Sequence, residues 1–208
     1  AARRAAWRTG EVAAAAGDPW RAAEARILLA QIALSDGDDE AAELHLEAAS
    51  RSLERFPLPS VRRRRDCVRA MLRVRQGRVE EAASLFGAAL ASEQGPHDRI
   101  HAAAMVNRGF VLDELGRSTE ALRCYESALE YYKTRNDETA AALVRLNRGA
   151  LRERLNLLDG AREDYEAVLR TEPSGSTAAL VALAQGNLGN VFARKRQWDE
   201  AEKHYQIA

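Results

Sequence analysis

Three short phrases on a fixed spacing constrain this chain more than any other feature. Asn107-Arg108-Gly109 returns as Asn147-Arg148-Gly149 and as Asn187-Leu188-Gly189, with glycines 40 residues apart (149 − 109 and 189 − 149). Residues downstream of each glycine recur on the same spacing: Ala121, Ala161 and Ala201, then Tyr125, Tyr165 and Tyr205. Ala82 with Phe86, Ala89 and Leu90 is an earlier copy, and Ala42 with Leu46 and Ala49 a weaker one. A period of this length marks a helical solenoid, in which each unit buries its apolar face only against its neighbours.

Apolar spacing and helix-breaking residues predict an all-α chain. Helices are expected over 2–16, 19–35, 39–55, 60–76, 79–93, 97–115, 118–132, 137–156, 158–171, 176–195 and 198–208. Breaks are expected at Gly17-Asp18, Asp36-Gly37, Phe56-Pro57, Gly77, Gly95-Pro96, Gly116, Asn136-Asp137, Gly160 and Pro173-Ser174-Gly175. Asp18 is placed to cap the second helix, with Pro19 at its first position. Two antiparallel helices then make one unit: small residues at Gly149 and Ala161 let the backbones approach, and Tyr165 fills the space beside them. Residues 1–208 read as one solenoid of about five helix pairs, preceded by the second half of a unit cut at the N-terminus. A start without Met and a stop at Ala208, part-way through a repeat, point to a fragment of a longer protein.

Composition excludes several classes. Lys+Arg and Asp+Glu balance at 31 each, so no global field selects nucleic acid or an acidic membrane. The basic residues are nearly all Arg and the chain is rich in Ala, a bias of genome composition. No apolar run approaches the ~20 residues of a membrane span, and no signal-peptide core is present. Cys67 and Cys124 lack framework spacing, so buried free thiols in a cytoplasmic setting are expected.

Two stretches resemble the tetratricopeptide repeat. One is Asn187-Leu188-Gly189-Asn190-Val191-Phe192 with Gln197-Trp198-Asp199-Glu200-Ala201 and His204-Tyr205. The other runs from Arg108-Gly109-Phe110 through Leu115-Gly116 to Glu120-Ala121 and Tyr125-Glu126-Ser127-Ala128-Leu129, and Pro173 stands where the family's terminal proline belongs. The likeness covers nearly the whole chain, most clearly from about residue 65. It departs from the family at Arg108, Arg148 and Arg152, where apolar residues are preferred. The 40-residue period resembles the variant with extended first helices, found in peptide-binding scaffolds and in the sensor arms of larger bacterial regulators. The resemblance implies a right-handed superhelix of antiparallel helix pairs, with a concave groove lined by the first helix of each pair.

On that reading Asn107, Asn147 and Asn187 sit at equivalent places in the groove, and Asn190, one helical step on, extends the ladder. An Asn amide offers a donor and an acceptor, so it can grip a peptide backbone without reading side chains. With helices ~8–10 Å apart and an extended chain rising ~3.3 Å per residue, successive units hold roughly every third residue or later. The alternative role for each Asn is to tie one unit to the next. Asp113 and Glu114, Glu153 and Arg154, and Arg194 are placed to set specificity, the alternative being a solvated helix face. Family members that capture acidic chaperone tails use lysines with asparagines; here only Lys195 falls in a first helix, which argues against that partner.

Other clusters read as structure. Arg145, Arg148 and Arg152 form a stripe on one helix face, with Arg108 in the preceding unit; it can bind an anion or pair with acids such as Glu126 or Glu130. Arg62 to Arg65, Arg69 and Arg73 form the most basic stretch but lack interleaved aromatics for base stacking. His97 and His101 have no zincin glutamate and no third ligand, so no metal or other cofactor is expected. Gly186-Asn187-Leu188-Gly189 and Pro173-Ser174-Gly175-Ser176-Thr177 are not phosphate loops. Trp7, Trp20 and Trp198 are expected in packing between units.

The sequence therefore points to a non-catalytic scaffold holding a protein or peptide segment, with no membrane or nucleic-acid partner. The alternative is a regulatory arm of a larger enzyme, such as a caspase-like protease or a signalling ATPase. The repeat end left at Ala208 can also drive self-association through terminal helices.

Overall fold

The computed structural model describes residues 2–55, 58–91, 98–172, 175 and 177–208, and every regular element among them is an α-helix. In chain order these are α1 (Ala2–Ala15), α2 (Pro19–Asp36), α3 (Asp39–Arg55), α4 (Pro59–Arg75), α5 (Val79–Ala91), α6 (Arg99–Glu114), α7 (Ser118–Lys133), α8 (Glu138–Arg154), α9 (Leu158–Leu169), α10 (Ala178–Arg194) and α11 (Trp198–Ile207). The expected breaks at Phe56-Pro57 and Gly95-Pro96, most of the one at Pro173-Ser174-Gly175, and His97 lie outside the described residues.

The helix boundaries follow local chemistry. Asp18 accepts a hydrogen bond from the Arg21 amide at 3.0 Å, with Pro19 opening α2. Asp38, Asp98 and Asp137 do the same for α3, α6 and α8, accepting from the amides of Ala41, His101 and Ala140 at 2.9, 2.8 and 3.1 Å. The turn between the helices of a pair needs one left-handed residue. Gly116 supplies it at φ 71°, and 40 residues on Asn156 holds φ 60°, then Arg196 holds φ 60°. The expected break at Gly160 is therefore wrong: the chain turns at Asn156, and Gly160 lies inside α9 against Arg152.

Two compact units form, Ala1–Val111 and Leu112–Ala208. In the first, α2, α3 and α4 share a core that includes Ile27, Ala30, Ala42, Leu46, Leu53, Val68 and Leu72. In the second, Ala142 and Leu146 of α8, Ala161, Tyr165 and Val168 of α9, and Ala184, Leu188 and Val191 of α10 close a core of the same pattern. Helix α10 thus packs on the pair before it as well as on α11. Of the alanines and tyrosines repeated in the sequence, Ala121, Ala161, Ala201, Tyr125 and Tyr165 are buried core residues, whereas Tyr205 is half-exposed. Cys67 and Cys124 are buried and free. Burial pushes the Cys67 thiol up to about 12, which keeps it protonated and unreactive at neutral pH.

Candidate functional site

Asn107 on α6, Asn147 on α8 and Asn187 on α10 are each half-buried. None of the three side chains has a hydrogen-bond partner among the described residues, so the tie between units that an Asn amide can make is not made. Asn190 differs, because its Oδ1 accepts from the Tyr205 hydroxyl at 2.8 Å.

Within the second unit the charged residues of these first helices are joined across repeats. Arg154 forms an ion pair with Asp113, and Arg194 lies 4.0 Å from the Glu153 carboxylate, both offsets being 41 residues (154 − 113 and 194 − 153). Arg194 also donates to the Glu153 carbonyl and to Asn156 Oδ1, the latter at 3.1 Å. The Tyr165 hydroxyl donates to Glu153 at 3.2 Å. The acids sit low and the arginines high: the Asp113 side chain is 10% exposed, that of Arg154 58%. The hydrogen bond to Asp113 raises the pKa of Arg154, holding its charge more firmly. Burial first, and Glu153 second, push the Tyr165 hydroxyl upward. Glu114 is exposed.

The arginine stripe is structural, with an unexpected partner. Arg148 grips Asp164 with two hydrogen bonds, at 3.0 and 2.6 Å, and Arg152 adds a third at 2.9 Å and one to the Gly160 carbonyl at 3.2 Å. Asp164, on the second helix of the same pair, replaces the expected Glu126 and Glu130. It is 3% exposed, and a carboxylate so buried requires such partners. Arg145 stands 3.6 Å from Glu138. Arg108 rests near Gly87 on α5, with its Nε buried and unbonded among the described residues.

The basic run of α4 is engaged inside the first unit. Arg64 donates to Gln31 at 3.3 Å, Arg65 binds Asp66 at 2.6 Å, and Arg65 and Arg69 both reach Ser50. Arg73 bridges Glu43 at 2.5 Å and Glu81 at 3.0 Å. Buried Arg63 faces Asp98 at 3.7 Å. No group of three His, Cys, Asp or Glu among the described residues is arranged to hold a metal. No helix among them is long and apolar enough to cross a membrane. Trp7, Trp20 and Trp198 are partly exposed, and Arg26 of α2 covers the Trp7 ring of α1 at 5.1 Å.

One concavity collects several first helices. A groove of about 570 Å³ in the first unit is lined by Leu34 of α2, Met71 and Val74 of α4, Phe86 of α5, and Asn107 and Phe110 of α6. Sequence reasoning placed Asn107 there and missed Met71 and Phe110, because apolar residues in a helical pattern read as core. Their signal was their place: each directly follows a small residue, Ala70 or Gly109, that marks the packed face.

Family models described as tetratricopeptide repeat match residues 67–134, 106–177 and 146–208, which together run from 67 to 208. The chain belongs to the tetratricopeptide repeat family. Its fold is the all-α helical-repeat solenoid of that family, a likeness that solved structures share. BtubC (BKLC) from P. vanneervenii has a TM-score of 0.84 at 25% identity, with 98% of this chain and 87% of that one covered. The apo quorum sensor NprR from B. thuringiensis gives 0.73 at 19%, covering 88% of this chain and 51% of that one. NprR has also been solved with its cognate peptide NprX, with a TM-score of 0.66. A signal transduction ATPase with numerous domains from Pyrococcus horikoshii, bearing a tetratricopeptide repeat sensor, gives 0.71 at 15%, covering 88% of this chain and 28% of that one. This tetratricopeptide repeat chain thus spans about half of NprR and just over a quarter of the ATPase. No curated protein is significantly similar to it in sequence.

Proposed function

We propose that the chain is a non-catalytic scaffold that captures a protein or peptide segment on the faces of its first helices. The observation that carries this reading is the recurrence of half-buried, unbonded amides at Asn107, Asn147 and Asn187. An Asn amide left free by its own fold can both donate and accept, and an extended backbone offers the donor and acceptor that each amide lacks. Asn190 contributes its remaining amide donors. Arg154 and Arg194 reach past Asp113 and Glu153, the acids that hold them, to select ligand side chains. The peptide complex of NprR supports this use of the fold.

The test is an affinity capture from the native cell extract, read by mass spectrometry. It compares the chain with the triple variant Asn107→Asp, Asn147→Asp and Asn187→Asp, both first shown to melt alike. A partner held by the first and lost by the second is the expected result. Retention of the same partners by both would remove the asparagines from the binding mechanism.

A second reading is favoured by the two sensors among the similar structures. The chain would then serve as the sensing arm of a larger signalling protein, responding to a bound ligand or partner. Sequencing the complete gene distinguishes the two, through the presence or absence of an attached catalytic domain.

A further inference from the structure

We infer that the first unit anchors its ligand through one bulky, uncharged apolar side chain of an extended segment. That side chain sits between Met71 and Phe110, and Asn107 holds the backbone beside it. The inference rests on the peptide-capture reading above and names the ligand chemistry that this half of the chain selects.

The walls of the groove are apolar and wet. Its floor is Leu34 and Phe86, both buried, while Met71 and Phe110 on its walls are 43% and 47% exposed. Water covers these walls at a cost of about 25 cal/mol for each Å² of apolar surface, which an apolar occupant recovers. A volume of about 570 Å³ lies within the range of sites that enclose small ligands, roughly 300–1,000 Å³.

Charge decides what kind of side chain enters. The cation bordering the groove, Arg75, is already bound to Asp39 at 2.8 Å and to the Leu34 carbonyl at 3.3 Å. Gln31 accepts from Arg64. No acid lines the groove among the described residues, so an ammonium group entering here would lose water without gaining a counter-ion, and a carboxylate would have to compete with Asp39 for Arg75.

Asn107 decides what kind of backbone. It stands one turn before Phe110, with amide donor and acceptor both unbonded among the described residues. A helical ligand has already satisfied its amides and carbonyls internally; an extended one has not. A donor–acceptor pair beside an apolar recess therefore fits an extended segment bearing one large apolar residue.

The test uses a phage-displayed library of random peptides selected on the whole chain, with the recovered peptides titrated by fluorescence anisotropy. The expected peptides share one Leu, Ile, Met or Phe at a fixed position. Changing that residue to Asp, or making Met71→Glu, Phe110→Glu or Asn107→Asp in the protein, weakens binding about tenfold or more. Because Met71 and Phe110 are half-exposed, these variants should melt like the parent. Met71 and Met105 are the two methionines, so carbon-13 methyl labelling gives a direct readout: the Met71 signal moves on binding and the Met105 signal stays.

Peptides that bind but ignore the Met71 and Phe110 changes would overturn the inference and leave the capture reading standing. Recovery of no peptide would overturn both. Self-association abolished by Phe110→Glu would show a second copy filling the groove, and would also overturn it.

Discussion

A methyl group on Gly149 would stand 2.7 Å from Cε1 of Tyr165, closer than carbon atoms approach without displacement. Tyr165 is fully buried between α8, α9 and α10, so its ring has nowhere to go. The equivalent pair one repeat on, Gly189 and Tyr205, is as close at 2.5 Å, but Tyr205 is half-exposed. Gly149→Ala should therefore destabilise the second unit by about 2 kcal/mol, overpacking outweighing the ~1 kcal/mol that Ala gains over Gly within a helix. Gly189→Ala should be close to neutral, because the Tyr205 ring can swing outward. Urea unfolding followed by circular dichroism would decide, and equal losses for the two variants would contradict this account.

Removing the Asp164 carboxylate should be more damaging. Asp164→Ala leaves Arg148 and Arg152 charged and largely buried, a change expected to cost about 3 kcal/mol. The next repeat solves the same positions without ions: Leu188, Phe192 and His204 stand 40 residues after Arg148, Arg152 and Asp164. There the His204 ring stacks on Phe192 at 5.1 Å and bonds Gln185 at 2.6 Å. Grafting that solution, as Arg148→Leu with Arg152→Phe and Asp164→His, should recover most of the loss. A graft no more stable than Asp164→Ala would show that the two repeats are not interchangeable at this point.

Arg196 holds a left-handed backbone, φ 60°, where Gly116 stands in an earlier repeat. For an L-residue that conformation costs about 1 kcal/mol relative to glycine. Arg196→Gly should raise the melting temperature slightly, the greater freedom of Gly in the unfolded chain offsetting part of the gain. A lower melting temperature would mean that the Arg196 side chain contributes more than its backbone loses.

In the first unit, the hydrogen bond from Arg73 holds the Glu43 carboxyl below its ordinary value of 4.5, against the opposing effect of burial. A carboxylate with a lower pKa in the fold than in the unfolded chain stabilises the fold above the unfolded value. That stabilisation is lost as pH falls through the folded one. Unfolding measured across a pH series should show a stability loss beginning below about pH 4.5, and Glu43→Gln should flatten that limb. An unchanged acid limb in Glu43→Gln would assign the pH dependence to other carboxylates.

The features legible in the sequence were the ones it repeats. The glycine, alanine and tyrosine of each period announced the packed face, and the Asn positions announced a shared place on the first helices. Asp164 was hidden because the same register holds Cys124 before it and His204 after it, so no periodicity flagged the acid that Arg148 and Arg152 need. The turn at Asn156 was hidden for a related reason, since Asn adopts the left-handed region less conspicuously than Gly. Met71 and Phe110 could be told from core residues only by their exposure, which depends on the helices around them.

The pairing of Asp113 with Arg154, and of Glu153 with Arg194, gives the array a polarity. At these two junctions of the second unit an acid of one repeat is met by an arginine of the next, like a hook and an eye. Excising residues 114–153, one full period, would bring Asp113 into the position of Glu153 and so opposite Arg194. This part of the chain can lengthen or shorten by whole repeats while the new junction finds its opposite charge already in place. An insertion of any other length moves each arginine out of register with its acid.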